Sequence, residues 1–352
     1  MKRTVNIVAY IGSCPDQNSI WAGAKDLAEN EIKSLNLPYE IKFTDIKTED
    51  IHRGEVKYPS GNGPVPARSS TTEDEFAAKF SEGDIHIFVD HPHQGNIRYL
   101  EWDMDILKNE LIVHLKDHPG FPTGKQITCY VFLQDKVGYI EKAPHFFLPT
   151  LKVNLKEFNE NDIGMFNEIY HFLNLYPGSP FVVKTGYTTN SHLNSLRCSG
   201  PDEVYNRLQK LCSDHLIEGT GQLKFSYAFI QKKVENTREH KLLFFNKEFQ
   251  YVQKICRGSG ALSHSDEEIL EFAKKVMDYY VEFVPEIITQ GIIRIDIMED
   301  DEKRLFVNEL ESLAANISSN QGTSTELIKY SQLKTSVSNF YKDTIVNCVR
   351  SL

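Results

Sequence analysis

The chain's six cysteines (Cys14, Cys129, Cys198, Cys212, Cys256, Cys348) contain no C-x-x-C pair, which argues against a zinc site or a disulfide framework and leaves reduced thiols. No run approaches the roughly eighteen apolar residues that a membrane span requires. The start, MKRTVNIVAYIGSCPD, lacks a small-residue cleavage signal and alternates like a first strand, so a cytoplasmic protein is expected. Positive charge is also short. A formal net charge of −10 speaks against a nucleic acid partner, because phosphate binding requires clustered Lys and Arg. The most basic stretch, Gln231 to Lys254, alternates its charges with apolar residues as exposed strand faces do. There is no G-x-x-x-x-G-K-[ST], no H-E-x-x-H, no G-x-S-x-G and no H-R-D or D-F-G set, so the common nucleotide and hydrolase motifs are absent.

What is present is an ordinary globular composition. With 352 residues, 40% of the side chains hydrophobic and 25% charged, the chain can fold throughout and build two or three units with real cores. The first 120 residues alternate β and α: strands at Thr4 to Ile11, Tyr39 to Phe43 and Asp84 to Val89, with a helical spacing over Gln17 to Leu35. That order predicts a parallel or mixed open sheet. A Gly-, Pro- and Ser-rich loop covers residues 58–75. After the third strand, Asp90, His91 and His93 sit where open sheets place ligands, although a D-H-P-H turn also serves as a plain loop.

Further along, Ile127 to Leu133 reads as an apolar strand, Lys152 to Leu173 as mainly helical and Pro180 to Lys184 as a strand. A helix over Asp202 to Cys212 precedes three alternating runs, Phe225 to Val234, Lys241 to Phe245 and Phe249 to Cys256, expected as a meander with Asn246 and Lys247 in its second turn. S-D-E-E opens a capped helix at Ser265 to Phe283, and Ser324 to Val349 reads as a closing helix.

Chemistry concentrates in RIDIMEDDEKRLFVNELES. Asp296 is expected to end one strand, and Glu309 and Glu311 to lie on the next beyond the acidic turn Glu299 to Lys303. Alternation places Glu309 and Glu311 on one side, which makes either an oxygen-only site suited to Mg²⁺ or a solvated acidic hairpin. Arg294 shares the strand face of Asp296 and serves either an anion or a salt bridge. Lys184 ends its strand before a loop of small hydroxyl residues, as a phosphate ligand or as a solvent-end lysine. Glu239, with Glu235 as a competitor, can accept bonds from ribose hydroxyls or remain a surface carboxylate. Lys136 opens a helix.

Taken in order, these residues resemble the ATP-grasp superfamily across roughly residues 125 to 315. The family's D-K pair and I-P-T-like turn are matched by Asp135, Lys136 and Leu148-Pro149-Thr150, and its V-V-K strand by FVVKT with Lys184. FIQKKV supplies Gln231, Lys232, Lys233 and Val234 at the adenine-contacting strand, and Glu239 stands at the ribose position. R-x-D and E-x-N are matched by Arg294, Asp296, Glu309 and Glu311. In two places the chain departs from the pattern: Glu311 stands where many members have Asn, and the loop after Lys184 has one glycine, Gly186.

The resemblance implies an α/β and α+β chain: a front open α/β unit at 1–124, then a grasp region at 125–352. Within the grasp region it implies a first subdomain near 150–245, a second with the carboxylates near 246–320, and a closing helix at 324–350. It implies an ATP-dependent ligase in which Arg294 and Lys184 are catalytic. Lys136, Lys184, Gln231, Lys232, Lys233, Val234 and Glu239 would bind ATP, and Asp296, Glu309 and Glu311 would hold Mg²⁺. The implied partners are small-molecule or peptide carboxylate and amine substrates. A small-molecule kinase and a non-catalytic ATP-binding or assembly factor are the alternatives. His91, His93, Arg98 and Arg257 are candidate acceptor contacts.

Overall fold

The structure, a computed structural model, describes residues 2–11, 15–47, 83–89, 120, 122, 123, 125, 129, 132, 133, 135–186, 196–214, 216, 223, 226–234, 238–256, 264–284, 291–300, 302–312 and 324–352. Asp90, His91, His93, Arg98, Glu235, Arg257 and the 58–75 loop lie outside the described residues.

Apolar, β-rich runs separated by one long helix build the first layer. Strands β1 (Arg3–Ile11), β2 (Tyr39–Lys47) and β3 (Ile85–Phe88) form a parallel sheet in the order β2-β1-β3. Helix α1 (Pro15–Ser34) connects the first two and buries Ile20, Trp21, Ala24, Ala28 and Ile32, an i, i+4, i+8 stripe, against that sheet.

Helix α2 (Lys136–Lys142) begins at Asp135, whose carboxylate accepts from the Gly138 amide at 2.9 Å. A short 3-10 turn (Pro144–Phe146) and strand β4 (Thr150–Asn154) follow, then α3 (Leu155–Asn159), α4 (Ile163–Asn174), β5 (Phe181–Thr185), β6 (Leu196–Cys198), α5 (Pro201–Asp214) and β7 (Tyr227–Lys232). The second sheet has the order β4-β7-β5-β6. Val153, Phe181, Val183, Ala228 and Ile230 turn one face of it into a core shared with α4 and α5. Val8, Tyr10 and Phe88 of the first sheet join that core.

Strands β8 (Arg238–Phe245), β9 (Glu248–Cys256), β10 (Ile292–Glu299) and β11 (Leu305–Ser312) make the third sheet, antiparallel in the order β11-β10-β8-β9. Its one face packs Leu242, Phe244, Ile293, Ile295, Ile297, Val307 and Leu310 against α6 (Asp266–Phe283). On the other face, Leu243, Phe245 and Ile292 join the core of the first sheet, which the last helix, α7 (Ser324–Arg350), closes.

Four local expectations are corrected. Cys129, Phe132 and Leu133 are helical, and they pack into the core between α6 and the third sheet where a strand was expected. Lys152 belongs to β4, whose pairing with β7 overrides the helical spacing that resumes at Leu155. Asp296 does not end its strand; pairing with β8 carries β10 on to Glu299. The expected meander is split: β7 pairs with β4 and β5, whereas β8 pairs with β9 and β10, so adjacent runs serve different sheets.

Candidate active site

Register decides which side chains of the third sheet meet. Lys241, Asp296 and Glu309 stand in one row across β8, β10 and β11, and Leu243, Arg294 and Glu311 in the next. Residues opposite each other project from the same face, so Arg294, Asp296, Glu309 and Glu311 share the face away from α6. The Arg294 guanidinium donates to both Asp296 oxygens, at 2.7 and 2.9 Å, and reaches Glu311 Oε2 at 2.9 Å. Lys241 Nζ lies 3.3 Å from Asp296 Oδ2. Lys136, at the first turn of α2, forms an ion pair with Glu309.

These pairs set the acidities. Burial works against the Glu309 charge, but Lys136 and Arg294, with help from Lys184, outweigh it and hold this carboxyl at about 2. Glu311 goes the other way: burial, then Glu309 and Asp296, lift it to about 7 against the pull of Arg294. Burial also opposes the charge of Arg294, yet Glu311 and Asp296 raise its pKa above the ordinary value. Lys184, on β5 of the second sheet, is thus electrostatically coupled to a carboxylate of the third.

The second sheet faces the same region with Lys184, Gln231, Phe229 and Thr150, which pair across β5, β7 and β4. Lys184 Nζ lies 6.0 Å from the centroid of the Phe229 ring. Gln231 is buried and its amide donates to Thr150 Oγ1 at 3.0 Å, which in turn donates to the Leu148 carbonyl at 2.7 Å. Lys232 turns to the opposite face, with its ammonium 5.4 Å from the centroid of the Tyr176 ring. The amides of Lys232 and Lys233 donate to the carbonyls of Pro149 and Pro180, both at 2.9 Å. Val234 is half-buried just beyond. Glu239 is buried on β8, 6% exposed, and accepts a hydrogen bond from Asn308 Nδ2 at 2.7 Å.

The two sheets are tied together where Lys136 emerges. Its amide donates to the Gly186 carbonyl at 3.2 Å, the Gly186 amide donates to the Tyr227 carbonyl at 3.2 Å, and the Tyr227 hydroxyl donates to Asp135 at 2.7 Å. A Cβ on Gly186 would stand 2.2 Å from the Tyr227 ring, so this close approach requires glycine.

The structure therefore gathers Lys136, Lys184, Arg294, Asp296, Glu309 and Glu311. It adds two residues that sequence reasoning had not assigned to the site. Lys241 was legible as the residue two beyond Glu239 on an alternating strand; Asn308 was not, because its orientation depends on an irregularity in β11.

No family model and no curated protein matches the sequence. Solved structures do match. A D-alanine–D-alanine ligase from Bacillus anthracis complexed with ATP superposes over 99% of both chains with a TM-score of 0.54 at 10% identity. The D-cycloserine synthetase DcsG does so over 94% of this chain and 99% of its own, with a TM-score of 0.54 at 14% identity. The chain has the ATP-grasp fold. A D-alanyl-alanine synthetase A from Vibrio cholerae, aligned over 99% of each chain at 10% identity and a TM-score of 0.54, shares this ATP-grasp architecture. The front parallel sheet thus belongs to the matched fold.

Hard-cation chemistry fits the donor set in part. All three carboxylates offer oxygen, the donor that Mg²⁺ prefers, and Mg²⁺ needs only one or two of them beside nucleotide phosphates. Among the described residues no three His, Cys, Asp or Glu side chains form a ready-made cluster. Arg294 stands between Asp296 and Glu311, and Lys136 engages Glu309.

Proposed function

We propose that the protein is an ATP-dependent ligase that joins a carboxylate to an amine or another nucleophile. One observation carries the reading: lysines from α2 and β5 and carboxylates from β10 and β11, brought from four elements, meet in one charged cluster of an ATP-grasp fold. Opposed charges held at short range are what a polyanionic nucleotide and its cation can exchange with, cation for phosphate and carboxylate for metal.

In this reading Lys136 and Lys184 bind the phosphate oxygens, Gln231 to Val234 line the adenine and Glu239 takes the ribose hydroxyls. Asp296, Glu309 and Glu311 would hold Mg²⁺, which would supply charge neutralisation to the nucleotide phosphates. Arg294 is kept charged and oriented by its two carboxylate neighbours, ready to stabilise the anion that develops when the acceptor is attacked. The substrate carboxylate oxygen attacks the γ-phosphorus and ADP leaves. The amine then attacks the acyl carbon, phosphate leaves and the amine proton goes to solvent or a base. Residues 1–124 would read the acceptor. The second grasp subdomain would begin near Arg238, since β8 pairs with β10.

The test follows the phosphate. Incubation with γ-labelled ATP and mixtures of carboxylates and amines is expected to release free phosphate only when both substrates are present, and hydroxylamine should trap the acyl-phosphate as a hydroxamate. Label retained on an acceptor would instead identify a kinase. ATP binding without turnover in any mixture would overturn the enzymatic reading.

A further inference from the structure

Resting on the reading of Glu239 as the ribose ligand, we infer that Asn308 is the positioning residue that orients this carboxylate and so sets selectivity for the ribose of the nucleotide. The pairing of β10 with β11 runs Met298–Phe306 and Ile297–Val307, then jumps to Asp296–Glu309, so Asn308 is an extra residue in β11. It forms a bulge. On a regular strand Asn308 and Glu309 would point to opposite faces; two bulge residues set against one partner can project to the same side. The consequence is visible at both: Glu309 meets Lys136, and Asn308 reaches across β10 to Glu239 on β8.

The chemistry of this contact is directional. A carboxylate only accepts, so the amide must present its N–H group, as it does at 2.7 Å to Oε1. Glu239 is 6% exposed, and a buried carboxylate whose rotamer is fixed by a donor keeps its acceptor lone pairs aimed in one direction. Ribose presents two adjacent hydroxyl donors. Recognition of such a pair by one carboxylate depends on orientation more than on charge, which is what the bulge supplies. Bulges of this kind commonly re-aim a side chain beside an active site.

The experiment compares the dissociation constants of ATP, 2′-deoxy-ATP and 3′-deoxy-ATP for the full chain and for Asn308→Ala, Asn308→Asp and Glu239→Gln, by calorimetry. The ratio within each variant is the readout, so partial loss of folded protein does not distort it. The wild type is expected to favour ATP by about tenfold or more, the size of one hydrogen bond to a charged group. Both Asn308 variants should bring that ratio towards unity while leaving affinity for inorganic triphosphate unchanged. If Glu239→Gln abolishes the preference and both Asn308 variants keep it, the positioning role is overturned and the ribose site stands. If the wild type itself does not distinguish the three nucleotides, the reading of Glu239 fails, and this inference with it.

Discussion

Asp296 and Glu309 oppose each other across β10 and β11 in a row where Lys241, Arg294 and Lys136 offset their charges. Removing one carboxylate charge should therefore disturb chemistry more than folding. Asp296→Asn or Glu309→Gln is expected to lower turnover by on the order of 10², as loss of a transition-state charge contact does, with an unchanged circular dichroism spectrum. Near-normal phosphate release in both variants would remove the role assigned to them. Glu311 makes a pH prediction. Its carboxyl rises from 4.5 to about 7 on folding, so between these values the folded state binds the extra proton, and stability falls as pH increases. Glu309, held at about 2, acts in the opposite sense and only in acid: its contribution is full above 4.5 and is lost as pH falls towards 2. The nucleotide-free Glu311→Gln variant should thus gain melting temperature relative to wild type between pH 5 and pH 8. A constant difference across that window would contradict the burial of this group.

At the level of elements, the cap and the hairpin turn were legible in the sequence and strand pairing was not. Ser265 and Glu268 form the reciprocal capping box expected from S-D-E-E, with hydrogen bonds of 3.2 and 2.8 Å. Ser265→Ala should cost about 1 kcal/mol in urea unfolding, the usual value for a lost N-cap. Asn246 and Lys247 occupy the β8–β9 turn with φ of 50° and 70°, the left-handed pair that a two-residue hairpin demands. The junction of β5, β7 and α2 is less forgiving. A methyl group at Gly186 meets a Tyr227 ring that is tied to Asp135 and lies under the Lys152 ammonium, 4.7 Å from its centroid. Gly186→Ala is expected to destabilise by about 1–3 kcal/mol through overpacking, and to weaken ATP binding because the Gly186 carbonyl anchors the amide of Lys136. Full ATP affinity in that variant would show that the anchor does not position the lysine.

Across the whole molecule, the two ends of the chain are joined. Helix α7 lays Leu333, Val337, Tyr341, Ile345 and Val349 along α1 and the first sheet, and the same core takes in Leu243, Phe245 and Ile292 from the carboxylate sheet. Tyr341 is buried with its hydroxyl donating to the Val89 carbonyl at 3.1 Å and its ring edge-on to Trp21. Tyr341→Ala should cost about 3–5 kcal/mol, the range for deleting a buried aromatic ring. Because this core links the first and third sheets, loss of protection in hydrogen exchange is expected in both β1 and β10. Protection lost from β1 alone would show that the two sheets open independently.

The sequence by itself determined the order of charged residues along the chain, the hairpin that carries Asp296 and Glu309, and the existence of the helices α1, α6 and α7. Each is written in contacts a few residues apart: periodicity, caps and turn chemistry. Tertiary structure decided which strands share a sheet, as the separation of β7 from β8 shows. It also decided that Lys136 meets Glu309 across 173 positions and Asn308 meets Glu239 across 69. Such partners are chosen by the burial of whole sheet faces and by one extra residue in an edge strand, neither of which leaves a periodic trace in the amino-acid order.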